Sequence, residues 1–476
     1  MSEKNDKTKV AIIGGGPGGY AAAFMASDLG LDVTLIDVEM NPGGVCLYRG
    51  CIPSKALLHV AKVLNDALEA EHWGIKFPRP RIDLDKMRAS KEAVVQKMTA
   101  GLGQLCKARK INYVQGRASF ESSTAIKVTG DDGHEQLLTT DYTILAAGSR
   151  PATLPDLYLE SDRLLNSTTA LQIEGIPKTL LVIGGGYIGL ELGSVYAALG
   201  SKVTVVEMTE GLLPGADADL VGILSQRMQK VMHAIYLNTR VTSMQEKSGG
   251  IQVTFESGDG RQRKEAFEKV LVSVGRKPNS SGLGLNNTKV IVGPKGFVQV
   301  DEQRRTTDPT IFAIGDIAGE PMLAHKASHE GRVAAQVIAG RKAAFEPAAI
   351  PAVVFTDPEV AWAGLTESQA KRDNIKIKVS RFPWGASGRA STLNRSDGVT
   401  KLITEPESGR VLGVGIVGPG AGELIAEGVL AIEMGTTAED MGLSIHPHPT
   451  LSETIMESAE LIFGHGTHVY RPRKSK

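Results

Sequence analysis

The sequence predicts an α/β protein: two copies of a Rossmann-like strand–helix–strand unit, then an α+β C-terminal domain. Three observations predict it. A glycine-rich turn between an apolar strand and a helix occurs twice, at Gly14–Gly19 and Gly184–Gly189. In each copy the following strand ends on an acid, Asp37 or Glu207, 23 positions after the first glycine. From Ile350 the texture changes to short β-rich runs in series followed by helices, as in α+β domains. At 476 residues the chain exceeds one core, and length alone suggests about three domains. The expected boundaries are 1–150, 151–280, a return segment 281–349 that completes the first unit, and 350–476.

The first unit opens on the apolar run Val10–Ile13. Gly14, Gly16 and Gly19 follow in G-x-G-x-x-G spacing, then a helix over Tyr20–Leu29 and a strand, Asp32–Ile36, ending at Asp37. Gly14 permits the tight turn, Gly16 lets backbone approach a pyrophosphate, and Gly19 lets helix pack on strand. The helix N-terminus attracts phosphate, and Asp37 can bind ribose hydroxyls. A glycine triplet alone is weak evidence, but strand, helix and acid together make a dinucleotide site.

The second unit repeats the pattern with Gly184, Gly186, Gly189 and Glu207. Repetition of the whole unit implies two dinucleotide-binding domains. Each copy is followed by an apolar strand closing on glycine and proline, Tyr142–Pro151 and Lys269–Pro278. Glu207 would repel a 2′-phosphate, and no Arg lies between Met208 and Leu213 to receive one, which favours NAD over NADP.

Within the first unit, soon after Asp37, lies GGVCLYRGCIPSK, residues 43–55, with Cys46 and Cys51. A regular helix would hold these two too far apart to bond, since a disulfide needs Cα atoms within about 7 Å. Gly43, Gly44 and Gly50 permit a bend, and Pro53 suits the first turn of a helix through Leu57, Leu58, Ala61 and Leu64. Cys51 then sits near a helix N-terminus, which favours a thiolate. A structural disulfide or two unrelated core thiols are the alternatives. Three cysteines and no secretory signal favour a redox-active pair. The first site adjoins this pair, so its ligand should carry a redox group, and a flavin fits: it takes two electrons from a dithiol and returns a hydride to nicotinamide.

In the return segment an apolar strand ends at Gly315-Asp316, and Met322-Leu323-Ala324-His325 precedes a helix expected over Lys326–Ile338. Asp316 can bind polyol hydroxyls or merely cap a turn. Five strands are expected in the C-terminal domain, at Ala352–Phe355, Glu359–Ala363, Lys376–Phe382, Thr400–Thr404 and Val411–Val417. Helices are expected at Ala421–Met434 and Leu451–Phe463. There His446-Pro447-His448-Pro449-Thr450-Leu451-Ser452-Glu453 offers a histidine with a carboxylate to fix its tautomer, the acid–base partner a thiol reaction wants. Thr450 and Glu453 also match a capping box. A metal pair at His446 and His448 lacks further ligands at useful spacing, so no metal is expected. Cys106 reads as a free core thiol.

With 53 basic and 53 acidic residues, nothing marks a nucleic-acid or anionic-membrane surface. No apolar run reaches a membrane span. The polar N-terminus has no apolar leader core, so a cytoplasmic protein is expected.

Together Gly43–Lys55, Gly184–Glu191, Ile311–Gly319 and His446–Glu453 resemble the flavin-dependent pyridine nucleotide–disulfide oxidoreductases, and the resemblance runs from Val10 to about Phe463. It is strongest to the branch that oxidises dihydrolipoamide on lipoyl domains as the shared component serving the acyltransferase core of 2-oxoacid dehydrogenase complexes. The resemblance implies FAD and NAD as cofactors and a homodimer joined through the C-terminal domain. It implies that Cys46 exchanges with substrate, Cys51 contacts the flavin, and Lys55 pairs with Glu191 near the reactive ring. His448 would be the base, oriented by Glu453, reaching the disulfide of the other subunit. Asp37, Asp316 and the backbone around Ala118 and Met322–His325 would hold FAD, while Glu207, Val241 and Gly275 would line the NAD site. Close relatives carry Asn-Val between the cysteines where this chain has Tyr48-Arg49, which bears on disulfide potential and access.

Glutathione reductase would favour NADPH, against Glu207. Mercuric reductase would need a C-terminal cysteine pair, and none follows Cys106. A soluble transhydrogenase lacks the cysteine pair. A non-catalytic redox-sensing flavoprotein would not need Cys46, Cys51, His448 and Glu453 together.

Overall fold

The computed structural model describes residues 7–470. In it β1 (Lys9–Ile13) is buried over Val10–Ile13 and runs parallel to β2 (Asp32–Asp37), with Ile13 opposite Ile36. Between them α1 (Pro17–Asp28) starts three residues before the expected Tyr20. Proline at its first position has its φ preset and no N–H to leave unpaired, so the helix begins there.

The first sheet runs in the order Ile311–Ala313, Tyr142–Leu145, β1, β2, β3 (Asn112–Gln115), all parallel. Its outermost strand therefore comes from the return segment, after the second unit has been completed. The second sheet has the order Ala234–Tyr236, Lys202–Val206, Thr179–Ile183, Lys269–Val272, Leu164–Asn166, again all parallel. The two sheets correspond strand for strand, differing only in where the fifth strand arises.

Each unit also carries a three-stranded antiparallel sheet that was not read from the sequence. These are Arg117–Ser122, Ala125–Thr129 and Glu135–Thr139, and Thr239–Lys247, Gly250–Ser257 and Gln262–Phe267. The two proline-ended tails meet: Ser149–Pro151 pairs antiparallel with Arg276–Pro278 and ties one unit to the other.

The C-terminal sheet is antiparallel, in the order Ala352–Val354, Glu359–Gly364, Val411–Gly418, Val399–Thr404, Lys378–Pro383. Helices Ala421–Glu433, Ala438–Leu443 and Glu453–Ile462 share its core with Phe382 and Trp384. The last begins two residues after the expected Leu451. The buried Trp384 indole donates to Thr400 Oγ1 at 2.9 Å, so no polar group is left orphaned there. Lys401, only 1% exposed, fastens this sheet to the second unit. Its Nζ lies 2.6 Å from Asp217, 2.8 Å from Asp219 and 3.0 Å from Glu367. That trio of carboxylates is thus shared between the Lys401 ammonium group and the Arg381 guanidinium, which pairs with Asp219 at 2.6 Å and with Glu367.

The cysteine segment folds as α2 (Gly44–Arg49) and α3 (Cys51–Glu69). Leu57 and Ala61 of α3 enter the core of the second unit, where Val354, Val360 and Val417 of the C-terminal sheet also pack. Cys51 therefore starts a helix wedged among three parts of the molecule. None of the described helices is long and apolar enough to cross a membrane.

Candidate active site

Both fingerprint turns have the same backbone. Gly14 and Gly184 each adopt φ +107°, a region that favours glycine. A Cβ on Gly19 would lie 1.8 Å from Gly14 O, and one on Gly189 2.3 Å from Gly184 O, so each helix rests on its turn without room for a side chain. The two acids hold these turns in shape. Asp37 accepts from the Gly15 N–H and, at 2.9 Å, the Glu39 N–H. Glu207 accepts from the Gly185 N–H at 2.7 Å, and from the Thr209 N–H and hydroxyl at 2.8 and 2.9 Å. Burial raises the Asp37 carboxyl, against the pull of the Gly15 N–H.

A cavity of about 750 Å³ begins at the first turn, within the usual range for small-molecule sites. Gly14, Gly16, Asp37 and Ala118 line one end, with Cys46, Cys51, Lys55 and Glu191 farther along, and Asp316, Met322 and Ala324 complete it. Gly19 contributes packing only. Leu323 caps the helix Ala324–Ile338, which starts two residues before the expected Lys326. His325 is therefore inside its first turn, with Nε2 2.8 Å from Pro351 O. Gly184, Gly186, Gly189, Glu207, Val241 and Gly275 belong to the second unit and do not line this cavity, although Tyr187 and Ile188 of the second turn do.

Asp316 lies in the short turn Gly315–Ile317 and accepts from the Ser149 hydroxyl. Arg276 donates to Ser149 Oγ at 2.7 Å and stands 3.9 Å from Asp316. Behind the turn, the Gly315 N–H donates to buried Glu330 at 2.6 Å, which Arg304 and Lys326 neutralise at 3.0 Å each. The sequence singled out none of these supports.

The chain breaks between α2 and α3 at Gly50, with φ −146° and ψ −114°. The break brings two free thiols together, and the Cys46 S–H donates to Cys51. That hydrogen bond, aided by Lys55, pulls Cys51 down to about 7. The same bond, with burial, pushes Cys46 up, so Cys51 is the thiol that ionises first. Lys55 Nζ lies 2.8 Å from Glu191, which also accepts from the Ser54 hydroxyl at 3.2 Å and the Phe355 N–H at 3.0 Å. Lys55 further sits 4.4 Å over the Phe355 ring, so the C-terminal domain reaches the cysteine site.

His448 Nδ1 is 2.9 Å from Glu453 Oε1, and Glu453 Oε2 accepts from the Thr450 N–H at 2.7 Å. Burial resists ionisation of Glu453, but the Thr450 N–H and His448 outweigh it and hold the carboxyl below its ordinary range. The expected capping box is only half formed. The Thr450 hydroxyl turns back to Pro447 O at 2.7 Å, leaving Glu453 to orient His448. The reciprocal box lies instead at Thr437 and Asp440. Both ring nitrogens of His446 are engaged, one by Glu427 and one by Ser444 O, each at 2.8 Å. His448 is 72% exposed and does not line the cavity that holds Cys46.

The family model of the pyridine nucleotide-disulphide oxidoreductases matches residues 8–331, and that of their dimerisation domain matches residues 350–459. The chain belongs to this family. Dihydrolipoyl dehydrogenase of Haemophilus influenzae is 49% identical over 97% of this chain and 96% of its own. The proteins of that name from Vibrio cholerae and Geobacillus stearothermophilus are 48% and 44% identical, over 97% of this chain and 97% and 98% of theirs. Among solved structures, LpdA from Mycobacterium tuberculosis superposes with a TM-score of 0.89 at 28% identity, over 96% of this chain and 99% of that one. The flavoprotein disulfide reductase RclA from Escherichia coli, a Cu(II) complex, gives 0.85 at 25% identity with the same coverage.

As a member of this family the chain carries contacts that its motifs did not reveal. Arg276, Ser149 and Phe355 reach the cavity or its ion pair from strands and loops far away in sequence. Only the proline-ended tails, Tyr142–Pro151 and Lys269–Pro278, hint at Ser149 and Arg276. His468, which the sequence left unassigned, lies 2.5 Å from Glu457, one helical turn beyond Glu453.

Proposed function

We propose that the protein oxidises dihydrolipoamide carried by lipoyl domains and passes the electrons through Cys46–Cys51 and FAD to NAD. In this reading it is a cytoplasmic homodimer serving the acyltransferase core of a 2-oxoacid dehydrogenase complex. The observation that carries the chemistry is the pair Cys46 and Cys51, both free thiols lining the cavity beside Lys55, with Cys51 the more acidic of the two. The names of relatives 43–49% identical over nearly the whole chain support the substrate.

One thiolate of the substrate attacks Cys46 of the disulfide, and Cys51 leaves as the thiolate its surroundings favour. The second substrate sulfur then attacks the first, closing the lipoamide disulfide and releasing Cys46 with a proton. His448, with Nδ1 held by Glu453, keeps Nε2 free to take the substrate's proton. Because His448 is exposed and does not line its own chain's cavity, the base at each cysteine pair comes from the second copy of the chain. Gly14, Gly16, Asp37, Ala118 and Asp316 would hold FAD along the cavity, where it would supply two-electron acceptance from the dithiol and hydride delivery to nicotinamide. Gly184, Gly186, Gly189, Glu207, Val241 and Gly275 form the NAD site. A buried carboxylate there binds ribose hydroxyls and repels a 2′-phosphate.

Turnover with free dihydrolipoamide tests this reading. NADH should form, with kcat/KM for NAD above that for NADP by about two orders of magnitude. No NAD reduction, or faster reduction of glutathione disulfide by NADPH, would refute it.

A further inference from the structure

Tyr48 and Arg49 occupy the last two positions of α2, between the two cysteines. Both reach the same loop, the one that follows Asp37. The Tyr48 hydroxyl donates to Asn41 O at 3.0 Å, and the Arg49 guanidinium pairs with the Glu39 carboxylate. Arg49 also stands 5.8 Å from the Tyr48 ring centre, so the two side chains brace each other. Glu39 is itself tied to the fingerprint acid, through its N–H to Asp37 at 2.9 Å. Asp37, Glu39 and Arg49 all border the cavity.

We propose that Tyr48 and Arg49 form a clamp that fastens the loop following Asp37 to the cysteine helix and slows release of FAD. The proposal rests on the reading of the cavity as the FAD site. An asparagine and a valine at these positions would have neither the reach nor the charge to make the two contacts. The loop would then depend on β3, whose Tyr113 hydroxyl donates to Glu39 O at 2.8 Å and whose Gln115 amide donates to Val38 O at 3.1 Å. Those bonds hold the loop to its own sheet. The chain runs from this loop straight into α2 at Gly44, and the clamp adds two side-chain contacts across that bend, so opening the bend beside the cavity must break the ion pair. The clamp is a positioning device: Glu39 orders the turn around Asp37, and Arg49 orders Glu39.

Release of flavin from the loaded protein after dilution, followed by the rise in flavin fluorescence, tests the clamp. R49V and E39Q should each speed release by roughly threefold, the scale of one partly exposed ion pair. Because they remove the same pair, R49V/E39Q should be no faster than either alone. Y48F should speed release by a similar factor through loss of its hydrogen bond. If R49V speeds release while E39Q slows it, Arg49 acts on the cofactor directly and the clamp is wrong. Flavin-bearing variants that all release at the wild-type rate overturn the clamp alone. A wild-type protein purified without flavin overturns the cavity reading, and the clamp with it.

Discussion

Cys46 and Cys51 carry the same side chain and differ in what surrounds them. Cys51 receives the Cys46 hydrogen bond, starts a 19-residue helix and has Lys55 one turn on, and each of these favours its thiolate. Below pH 7 the Cys51 sulfur is protonated and a poor nucleophile, and above it the thiolate dominates. Alkylation of the reduced, flavin-free protein by iodoacetamide should therefore be half-maximal near pH 7, at Cys51, with Cys46 spared when the labelled peptides are weighed. A half-maximum near the ordinary thiol value of 9.0 would contradict the assignment. The helix start at Cys51 was legible in Gly50 and Pro53, because local backbone chemistry sets it. The company of Lys55 was legible only through the family resemblance, since Glu191 lies 136 positions away and Phe355 farther still. Spacing alone does not report contacts of that range.

At the scale of elements, the inner strands of both parallel sheets were readable because buried parallel strands are continuous apolar runs, as in Leu180–Ile183, whereas the short edge strands Asn112–Gln115, Leu164–Asn166 and Ala234–Tyr236 were not read. The three-stranded antiparallel sheets escaped notice for the opposite reason. Glu135–Thr139, for example, is exposed or half-exposed throughout and carries no apolar run. Helix ends drifted by two or three residues where a proline or a backbone cap, rather than hydrophobic period, decided them. How α2 meets the first turn depends on one residue. Gly44 has φ +55°, and a Cβ there would lie 2.5 Å from Gly16 Cα, backbone against backbone. Gly44→Ala must push α2 off the fingerprint turn, where neither side can yield. The substitution should lower stability by about 1–3 kcal/mol in urea unfolding and reduce the flavin retained on purification. An unchanged midpoint with full flavin content would show that the contact does not position α2.

Over the whole molecule, the parts pack directly rather than through linkers. α3 joins three of them, the ribbon of Ser149–Pro151 and Arg276–Pro278 joins two, and Lys401 pins the C-terminal sheet to the second unit. Asp217 and Asp219 show the electrostatic side of that packing. Burial resists their ionisation, yet Lys401 holds both below the ordinary 3.8. Their contribution to stability is thus complete above that value and lost as pH falls through the lowered folded values. The rigid frame fixes His448 on the outside of its own chain, 72% exposed, and the cysteines inside a cavity it does not line. The proposed oxidation at Cys46 with His448 as base therefore calls for two chains, closed by a two-fold axis. Turnover by mixed dimers measures this most directly. Cys46→Ser and His448→Gln proteins, each nearly inactive alone, are unfolded and refolded together, and NADH formation from dihydrolipoamide is followed. Random pairing makes about half the dimers mixed, each with one intact site, so roughly a quarter of wild-type activity should return. Mixed dimers confirmed by mass that remain as inactive as their parents would contradict the shared site.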